Sequence, residues 1–271
     1  MPNILVIAES GFGKTTSLIE NKQYGIKGLN PDETYVISAT KKDLPGRGSR
    51  HLFPILPPEI THTGISAGHL APYRRIITNN AMIVAHMIRL LATVQKIKNV
   101  VLDDANYIMQ DYYMAKALST GWDAPKRIGY DMGQIFEAFN NLRIEQNFIM
   151  LAHGEEYDKA DNKKGYRVKT TGKMVQEYIT PEGKFDVVLI GRSNYDDTSR
   201  KVSKEFVTND DGTYTSAKSH GIFDSLYIPN DMGLVIEKVT EYFSTMPNKD
   251  IVEEEKPDSQ VAEETKEGET K

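Results

Sequence analysis

The most specific chemical pattern in this chain is a glycine-rich turn that ends in a lysine and two threonines. The turn follows the apolar run Ile4–Ile7, which predicts a buried strand. Its glycines would let the backbone point N–H groups inward, the lysine would reach the β- and γ-phosphates of a nucleotide and act in catalysis, and the first threonine would hold Mg²⁺. The predicted nucleotide-binding residues are Glu9, Ser10, Gly11, Phe12, Gly13, Lys14, Thr15 and Thr16.

A pair of carboxylates ends a second apolar run, where Asn99–Leu102 is followed by Asp103 and Asp104. Open α/β sheets bind ligands at the carboxyl ends of their strands. We therefore expect Asp103 to hold Mg²⁺ together with Thr15. We expect Asp104 to orient or deprotonate the water that attacks the γ-phosphate.

A third apolar run, Asn147–Ala152, ends at His153. A polar side chain at the tip of a strand beside the phosphate-binding turn can contact the γ-phosphate and relay its hydrolysis to the next loop. We predict that His153 is this sensor. The prediction depends on the two preceding motifs, because a lone histidine at a strand end is more often an ordinary surface residue.

The elements that must position these residues alternate between strand and helix, which predicts an α/β fold with three layers and a mostly parallel sheet. A first helix is expected over Thr15–Gln23 and a second strand over Thr34–Ser38. An apolar stripe at helical spacing predicts a long helix from Asn80 to Lys96. With the phosphate-binding turn, this pattern is typical of a P-loop NTPase core.

The last part of the chain predicts a buried strand over Phe185–Gly191 and a late β-hairpin. The two hairpin strands are expected at Lys204–Thr208 and Tyr214–Ala217, joined by the turn Asn209–Gly212. A final helix is expected from Asp231 to Phe243.

Composition limits the class of protein. A chain of 271 residues with 39% hydrophobic residues can bury one sizeable core. Because it has no cysteine, a disulfide scaffold and thiolate metal sites are excluded. No apolar run approaches the ~20 residues that a membrane span needs. We expect a soluble, cytoplasmic protein without membrane contact.

Charge is unevenly distributed along the chain. The net charge is −5, and residues 250–271 alone contain nine acidic residues and three lysines. We expect an ATPase domain over residues 1–246 and a disordered acidic tail over residues 247–271. The tail either solubilises the protein, or docks a partner or competes with nucleic acid for basic surface. The nearly neutral domain argues against a strong duplex-binding surface.

Two segments interleave cations with aromatic residues, one after each of the strands that end in Asp103 and His153. Cations on the backbone and aromatic faces under the bases are what single-stranded nucleic acid requires. Ordinary packing and solvated lysines remain the alternative interpretation. The candidate residues are Lys126, Arg127, Lys163, Lys164, Tyr166, Arg167 and Lys169.

Taken together, eight motifs resemble bacteriophage RecA-like ATPases, small proteins linked to single-strand annealing. The resemblance covers about residues 3–245. The glycine-rich turn is widespread, whereas the late motifs are more specific in combination. The motifs are Ala8–Thr16, Lys42–Pro45, Val100–Asp104, Met150–His153, Thr208–Gly212, Ala217–Ser219, Gly221–Phe223 and Ile228–Asp231.

The resemblance implies a RecA-type core that binds ATP and Mg²⁺ and assembles into homo-oligomeric rings or filaments on single-stranded DNA in the host cytoplasm. It further implies annealing or recombination, with a single-strand-binding protein or another recombination factor as a possible partner. Lys218 looks like the basic residue that reaches a neighbouring subunit's γ-phosphate. The chain departs from the recombinases after the second strand, because Ala39–Lys42 contains no catalytic glutamate. It also has His220 where the family commonly has proline.

Two other functions fit the same turn. One is a kinase that transfers the γ-phosphate to a nucleoside or another small molecule, although the only lid-like cluster, Lys163–Lys173, lacks paired arginines. The other is a nucleotide-gated DNA-binding accessory protein with negligible turnover. The missing glutamate favours this second alternative.

Overall fold

Nine strands form one sheet in the computed structural model, which describes residues 2–118, 123–158, 164–171, 175–197 and 200–245. The order across the sheet is β3-β2-β4-β5-β1-β7-β8-β9, and β6 pairs with the second half of β5. The strands are Asn3–Ala8 (β1), Thr34–Ser38 (β2), Arg75–Ile77 (β3), Asn99–Asp103 (β4), Asn147–Asp158 (β5), Lys164–Val168 (β6), Val187–Asp196 (β7), Lys201–Val207 (β8) and Tyr227–Pro229 (β9).

The six neighbouring strands from β3 to β7 run parallel, and β8 and β9 add antiparallel strands at one side. In this register Ala8 lies beside His153, and Ser38 lies beside Asp103. Parallel strands bring their carboxyl ends to one edge of a sheet. The glycine-rich turn and Asp103 therefore share that edge, and His153 lies level with it because it pairs with Ala8, the last residue of β1.

Helices cover both faces of the sheet. Alternate residues of a strand point to opposite faces, so Leu5 and Ile7 pack in a core with α4, α5 and α6, while Ile4 and Val6 pack in a second core with α7. The predicted three-layer α/β fold with a mostly parallel sheet is confirmed. The helices are Ser49–Leu52 (α1), Pro58–Thr63 (α2), Ala67–Leu70 (α3), Ala81–Leu91 (α4), Asn106–Lys116 (α5), Asp123–Phe139 (α6) and Met232–Ser244 (α7).

None of the helices in the described ranges is both long enough and apolar enough to cross a bilayer. The predicted acidic tail over residues 247–271 lies outside the described residues.

The helix predicted over Thr15–Gln23 is wrong. The chain instead makes a short 3-10 turn over Thr15–Leu18 and a second one over Lys22–Tyr24. Leu18 and its neighbour are buried, and the Leu18 carbonyl accepts a hydrogen bond from Leu29 N at 2.8 Å. These tertiary contacts bury the Leu18 side chain and occupy its carbonyl. The backbone therefore becomes extended at Ile19 instead of continuing as a helix.

The helix predicted from Asn80 to Lys96 begins as expected, with the Asn80 side chain accepting from Met82 N at 3.0 Å, but ends at Leu91. Gln146 Nε2 donates to the Leu91 carbonyl at 3.0 Å, and Arg143 donates to the carbonyls of the next turn. Side chains from the loop before β5 therefore satisfy the last carbonyls and stop the helix there.

The predicted late hairpin is placed wrongly. The structure has a late antiparallel pair, formed by β7 and β8, and the other partner of β8 is β9 rather than Tyr214–Ala217. Residues 214–217 form a turn, in which the Asp211 carboxylate accepts from Thr213 N at 2.9 Å and Tyr214 N at 2.8 Å. Such side chain to backbone bonds favour a turn over a strand.

Candidate functional site

The glycine-rich turn leaves its amide groups available for an anion. Gly11 and Gly13 have φ angles of 81° and 104°, in the left-handed region that glycine adopts without strain. The backbone N–H groups of Ser10, Gly11 and Gly13 donate to no acceptor among the described residues. Successive inward N–H groups of this kind form a concavity that binds phosphate. The candidate anion site is formed by the turn itself, because a short 3-10 turn rather than an α-helix follows it.

Lys14 curls back over this turn. Its Nζ donates to the carbonyls of Ala8 at 2.9 Å and Glu9 at 3.0 Å, and lies 3.3 Å from His153 Nδ1. Burial lowers the pKa of the Lys14 ammonium to about 8, although Asp104 and Asp103 partly offset this effect. A buried cation with carbonyl partners is well placed to receive phosphate oxygens.

Phe12 differs from its neighbours in the turn. Its ring is buried and lies 5.9 Å from the ring of Phe206 on β8. The Phe12 ring also packs closely on Gly191, because a Cβ added to Gly191 would lie 2.5 Å from the nearest ring atom. Phe12 therefore anchors the turn to the sheet through its side chain, and only its backbone faces the anion site.

Thr15 and Asp103 meet as the sequence predicts. Thr15 Oγ1 donates to Asp103 Oδ1 at 3.0 Å. Burial and the adjacent Asp104 raise the pKa of Asp103 to about 6, against the effects of Thr15, Arg75 and Lys14. A buried carboxylate beside a hydroxyl is a suitable pair of ligands for Mg²⁺, which usually keeps water and phosphate oxygens as its other ligands. Across the described ranges, no cluster of three or more acidic or histidine side chains could hold a metal alone.

Asp104 occupies a strained position with several partners. Its φ angle is 60°, which a residue with a Cβ rarely adopts. Its Oδ2 accepts from Thr40 Oγ1 at 3.1 Å and Lys42 Nζ at 3.2 Å, and its Oδ1 lies 3.4 Å from His153 Nε2. Burial alone would raise the pKa of Asp104, but His153 and Lys42 outweigh it and lower the pKa to about 2.

His153 joins these groups, although the prediction that its strand ends there is wrong: β5 continues to Asp158, and the register places His153 beside Ala8 at the end of β1. One ring nitrogen faces Lys14 and the other faces Asp104. Asn106 fixes the backbone, since its side chain accepts from His153 N at 2.6 Å. The structure thus brings Lys14, Asp104 and His153 into one cluster. Their roles in catalysis stay predictions.

Sequence reasoning missed the side chains that β8 and β9 bring to the turn. Lys204 Nζ donates to the Gly11 carbonyl at 2.8 Å, and Asn230 Nδ2 donates to the Gly13 carbonyl at 3.2 Å. Beside them lies a cavity of about 610 Å³, lined also by Thr16 and Tyr24. The only sequence signal for these contacts was the motif Ile228–Asp231, which contains Asn230. That motif gave no indication that Asn230 contacts Gly13.

Lys218 does not join the cluster within its own chain. Its backbone pairs with Val188, which lies level with Leu5 in the sheet. Three further residues separate Leu5 from the end of β1, or about 10 Å along the strand. The predicted contact with a neighbouring subunit is a separate matter and stays a prediction.

The predicted nucleic-acid residues are divided between α6 and β6. Arg127 pairs with Asp131 at 2.8 Å, and Arg167 pairs with Glu155 at 3.0 Å. Tyr166 is wrong as a base-stacking candidate, because it is buried against Gly154. Lys126 and Lys169 are exposed. Lys163 and the side chain of Lys164 lie outside the described residues.

No protein-family model matches the chain, and no curated protein matches it. Among solved structures, a KaiC-like protein from the hyperthermophilic archaeon Pyrococcus horikoshii is similar at 12% identity and a TM-score of 0.39, over 76% of this chain and 77% of that one. A likeness of this size carries no argument about function.

Proposed function

We propose that this chain is an ATPase of the RecA-like P-loop class that binds ATP with Mg²⁺ and hydrolyses it. The observation that carries the proposal is the convergence of Lys14, the Thr15–Asp103 pair and His153 at one edge of the sheet. Phosphate oxygens would replace the carbonyl partners of Lys14 and bind the free amides of the turn. The nucleoside would extend into the cavity beside Gly13 and Thr16.

Hydrolysis requires a water molecule aligned with the bond between the γ-phosphorus and the bridging oxygen. The water oxygen bonds to the γ-phosphorus, the bridging bond breaks, and the water proton passes to phosphate or solvent. A carboxylate with a pKa of about 2 is a weak base. We infer that Asp104 orients the water as a hydrogen-bond acceptor. Mg²⁺ held by Thr15 and Asp103 would neutralise charge on the β- and γ-phosphates.

The test combines binding with turnover. A fluorescent ATP analogue should bind saturably to the wild type, and phosphate release should depend on Mg²⁺. Lys14→Ala should abolish phosphate release, because it removes the buried cation. Lys22→Ala is the matched control, since the Lys22 side chain is 90% exposed. Absence of saturable nucleotide binding by the wild type would refute the proposed function.

We further propose that single-stranded DNA is the activating partner, in a phage annealing or recombination reaction. This proposal rests on the sequence resemblance and on the exposed lysines Lys126 and Lys169. Adding single-stranded DNA should raise the rate of ATP hydrolysis, and the double change Lys126→Ala and Lys169→Ala should reduce that stimulation. Turnover that is independent of DNA would contradict it.

A second candidate is phosphoryl transfer to a small molecule. A polar cavity of about 380 Å³ lies beside the first half of the turn, lined by Glu9, Tyr166, Arg192 and Tyr214 among others. The buried Tyr166 hydroxyl has no hydrogen-bond partner among the described residues. The oxygen of an acceptor hydroxyl in this cavity would bond to the γ-phosphorus in place of water, the bridging bond would break to release the nucleoside diphosphate, and the hydroxyl proton would pass to solvent. A phosphorylated product in a panel of nucleosides and small alcohols would favour this function over hydrolysis.

A further inference from the structure

Lys42 lies at the cluster without having been assigned a role. It follows β2, in the segment Ala39–Lys42 that contains no acidic residue. Its Nζ donates to Asp104 Oδ2 at 3.2 Å and lies 5.1 Å from the centre of the Tyr107 ring. The fold explains this position, because β2 pairs with β4 and Ser38 lies beside Asp103. The loop after β2 therefore runs directly over the carboxylates.

The backbone of Lys42 is fixed while its ammonium group is accessible. The Lys42 carbonyl accepts a hydrogen bond from the guanidinium of buried Arg75. The Lys42 side chain is nevertheless 64% exposed, whereas that of Asp104 is 10% exposed. A cation on a fixed backbone with a solvent-facing end can contact a ligand without any rearrangement of the fold.

Charge at the site requires such a cation. Asp104 lies in a cluster with Lys14 and His153, so a γ-phosphate held by Lys14 would approach the Asp104 carboxylate. Two anions in contact repel unless a cation lies between them. A lysine ammonium has three N–H donors, and Asp104 engages one of those of Lys42. The others remain for phosphate oxygens.

We propose that Lys42 binds the γ-phosphate of the nucleotide from within the same chain and bridges it to Asp104. The inference rests on the proposed nucleotide binding and adds to it the residue that distinguishes a triphosphate from a diphosphate. Lys42 also stabilises the charge that develops on the transferred phosphoryl group. This cation needs no neighbouring subunit, in contrast to the role predicted for Lys218.

The experiment compares two nucleotides on the full chain. Affinities for the Mg²⁺ complexes of ADP and of a non-hydrolysable ATP analogue are measured by fluorescence competition. Lys42→Ala should weaken binding of the ATP analogue by about 10- to 100-fold, as expected for a charge-assisted hydrogen bond, and change ADP binding by less than about twofold. The kcat for ATP should fall by a larger factor than KM rises, because the charge on the phosphoryl group grows toward the transition state.

Two further variants make the result specific. Lys41→Ala changes the adjacent exposed lysine and should leave both affinities unchanged. Lys42→Gln keeps a donor toward Asp104 but removes the charge, so it should behave like Lys42→Ala, whereas Lys42→Arg should retain part of the preference for ATP. Thermal melts of each variant confirm folding.

The outcomes separate this inference from the proposed function. If the wild type prefers the ATP analogue and Lys42→Ala keeps that preference, or loses both affinities equally, Lys42 is a structural ion-pair partner and the inference is overturned. If the wild type binds neither nucleotide, the proposed function fails and Lys42 loses its ligand with it.

Discussion

At the scale of single residues, the main feature is that Asp103 and Asp104 are adjacent in sequence but electrostatically different. Burial and Asp104 raise the pKa of Asp103 to about 6. Burial of Asp104 raises its pKa, but His153 and Lys42 outweigh this effect and lower the pKa to about 2. The two carboxylates therefore suit different tasks, since Asp103 gains strongly from an added cation and Asp104 already accepts hydrogen bonds from Lys42 and Thr40.

The raised pKa of Asp103 predicts that Asp103→Asn stabilises the nucleotide-free, metal-free protein. A carboxyl group with a higher pKa in the folded state lowers stability as the pH rises from its unfolded pKa near 4 to about 6, and the full cost remains above pH 6. Urea unfolding at pH 7 should show a gain of about 1–3 kcal/mol, and the gain should disappear near pH 4.

At pH 7 and without urea, the Asp103→Asn variant should lose Mg²⁺-dependent binding of ATP. Thr15→Ala serves as the comparison, because it also removes a predicted metal ligand but no buried charge. An Asp103→Asn variant that is less stable than the wild type at pH 7 would show that the carboxylate is favourably solvated in the folded protein.

At the scale of elements, the glycine-rich turn is held by strands rather than by a helix. Phe12 packs on Phe206 of β8 and on Gly191 of β7. Lys204 and Asn230 bind the turn's carbonyls. The late strands thus anchor the turn by packing on Phe12 and by donating hydrogen bonds to the turn's carbonyls.

Gly191→Ala tests this anchoring. An added Cβ would lie 2.5 Å from the Phe12 ring and 2.6 Å from the Ala8 Cβ, so the turn must shift. We expect a loss of stability of about 1–3 kcal/mol in urea unfolding and weaker nucleotide binding. Gly183→Ala is the matched control, because an added Cβ there would meet nothing within 4 Å. Equal effects of the two changes would contradict the anchoring role.

Asp231→Ala tests how α7 is joined to the segment after the turn. The Asp231 carboxylate caps α7 through Gly233 N at 2.9 Å and also accepts from Lys27 N at 2.7 Å and Gly28 N at 3.0 Å. Removing it leaves buried donors unpaired, and the free energy of unfolding should fall by about 2–4 kcal/mol. Asp32→Ala, at an exposed position, should change it little. Chemical denaturation followed by circular dichroism measures both.

At the scale of the whole molecule, two sources of positive charge for the γ-phosphate are proposed. Lys42 lies at the cluster in its own chain, whereas the Lys218 backbone pairs with Val188, away from the edge that carries the cluster. If both act, assembly adds to a basal activity that a single chain already has.

Subunit mixing tests the role of Lys218. Lys14→Ala and Lys218→Ala should each lose most ATP hydrolysis in the assembled state, and mixing them should restore part of it, because one intact site can form at a mixed interface. Sedimentation must show oligomers at the concentration used. No recovery in the mixture would exclude the trans role of Lys218 and leave the role of Lys42 unaffected.

Local sequence patterns were sufficient to predict features that depend on a single strand or helix. Thr34–Ser38 is a strand over the predicted residues, and the final helix, expected from Asp231 to Phe243, spans Met232–Ser244. The pairing of Thr15 with Asp103 also follows from sequence, because the turn and the carboxylate both follow buried strands that end at one edge.

What the sequence by itself determined is the α/β class, the glycine-rich turn and the carboxylate at the end of β4, since apolar runs and glycine spacing are local properties. Only the tertiary structure decided that short 3-10 turns follow the glycine-rich turn and which strands pair late in the chain. It also decided that Lys42 contacts Asp104 and that Lys204 and Asn230 contact the turn. These depend on contacts between residues tens to hundreds of positions apart, which no local pattern encodes.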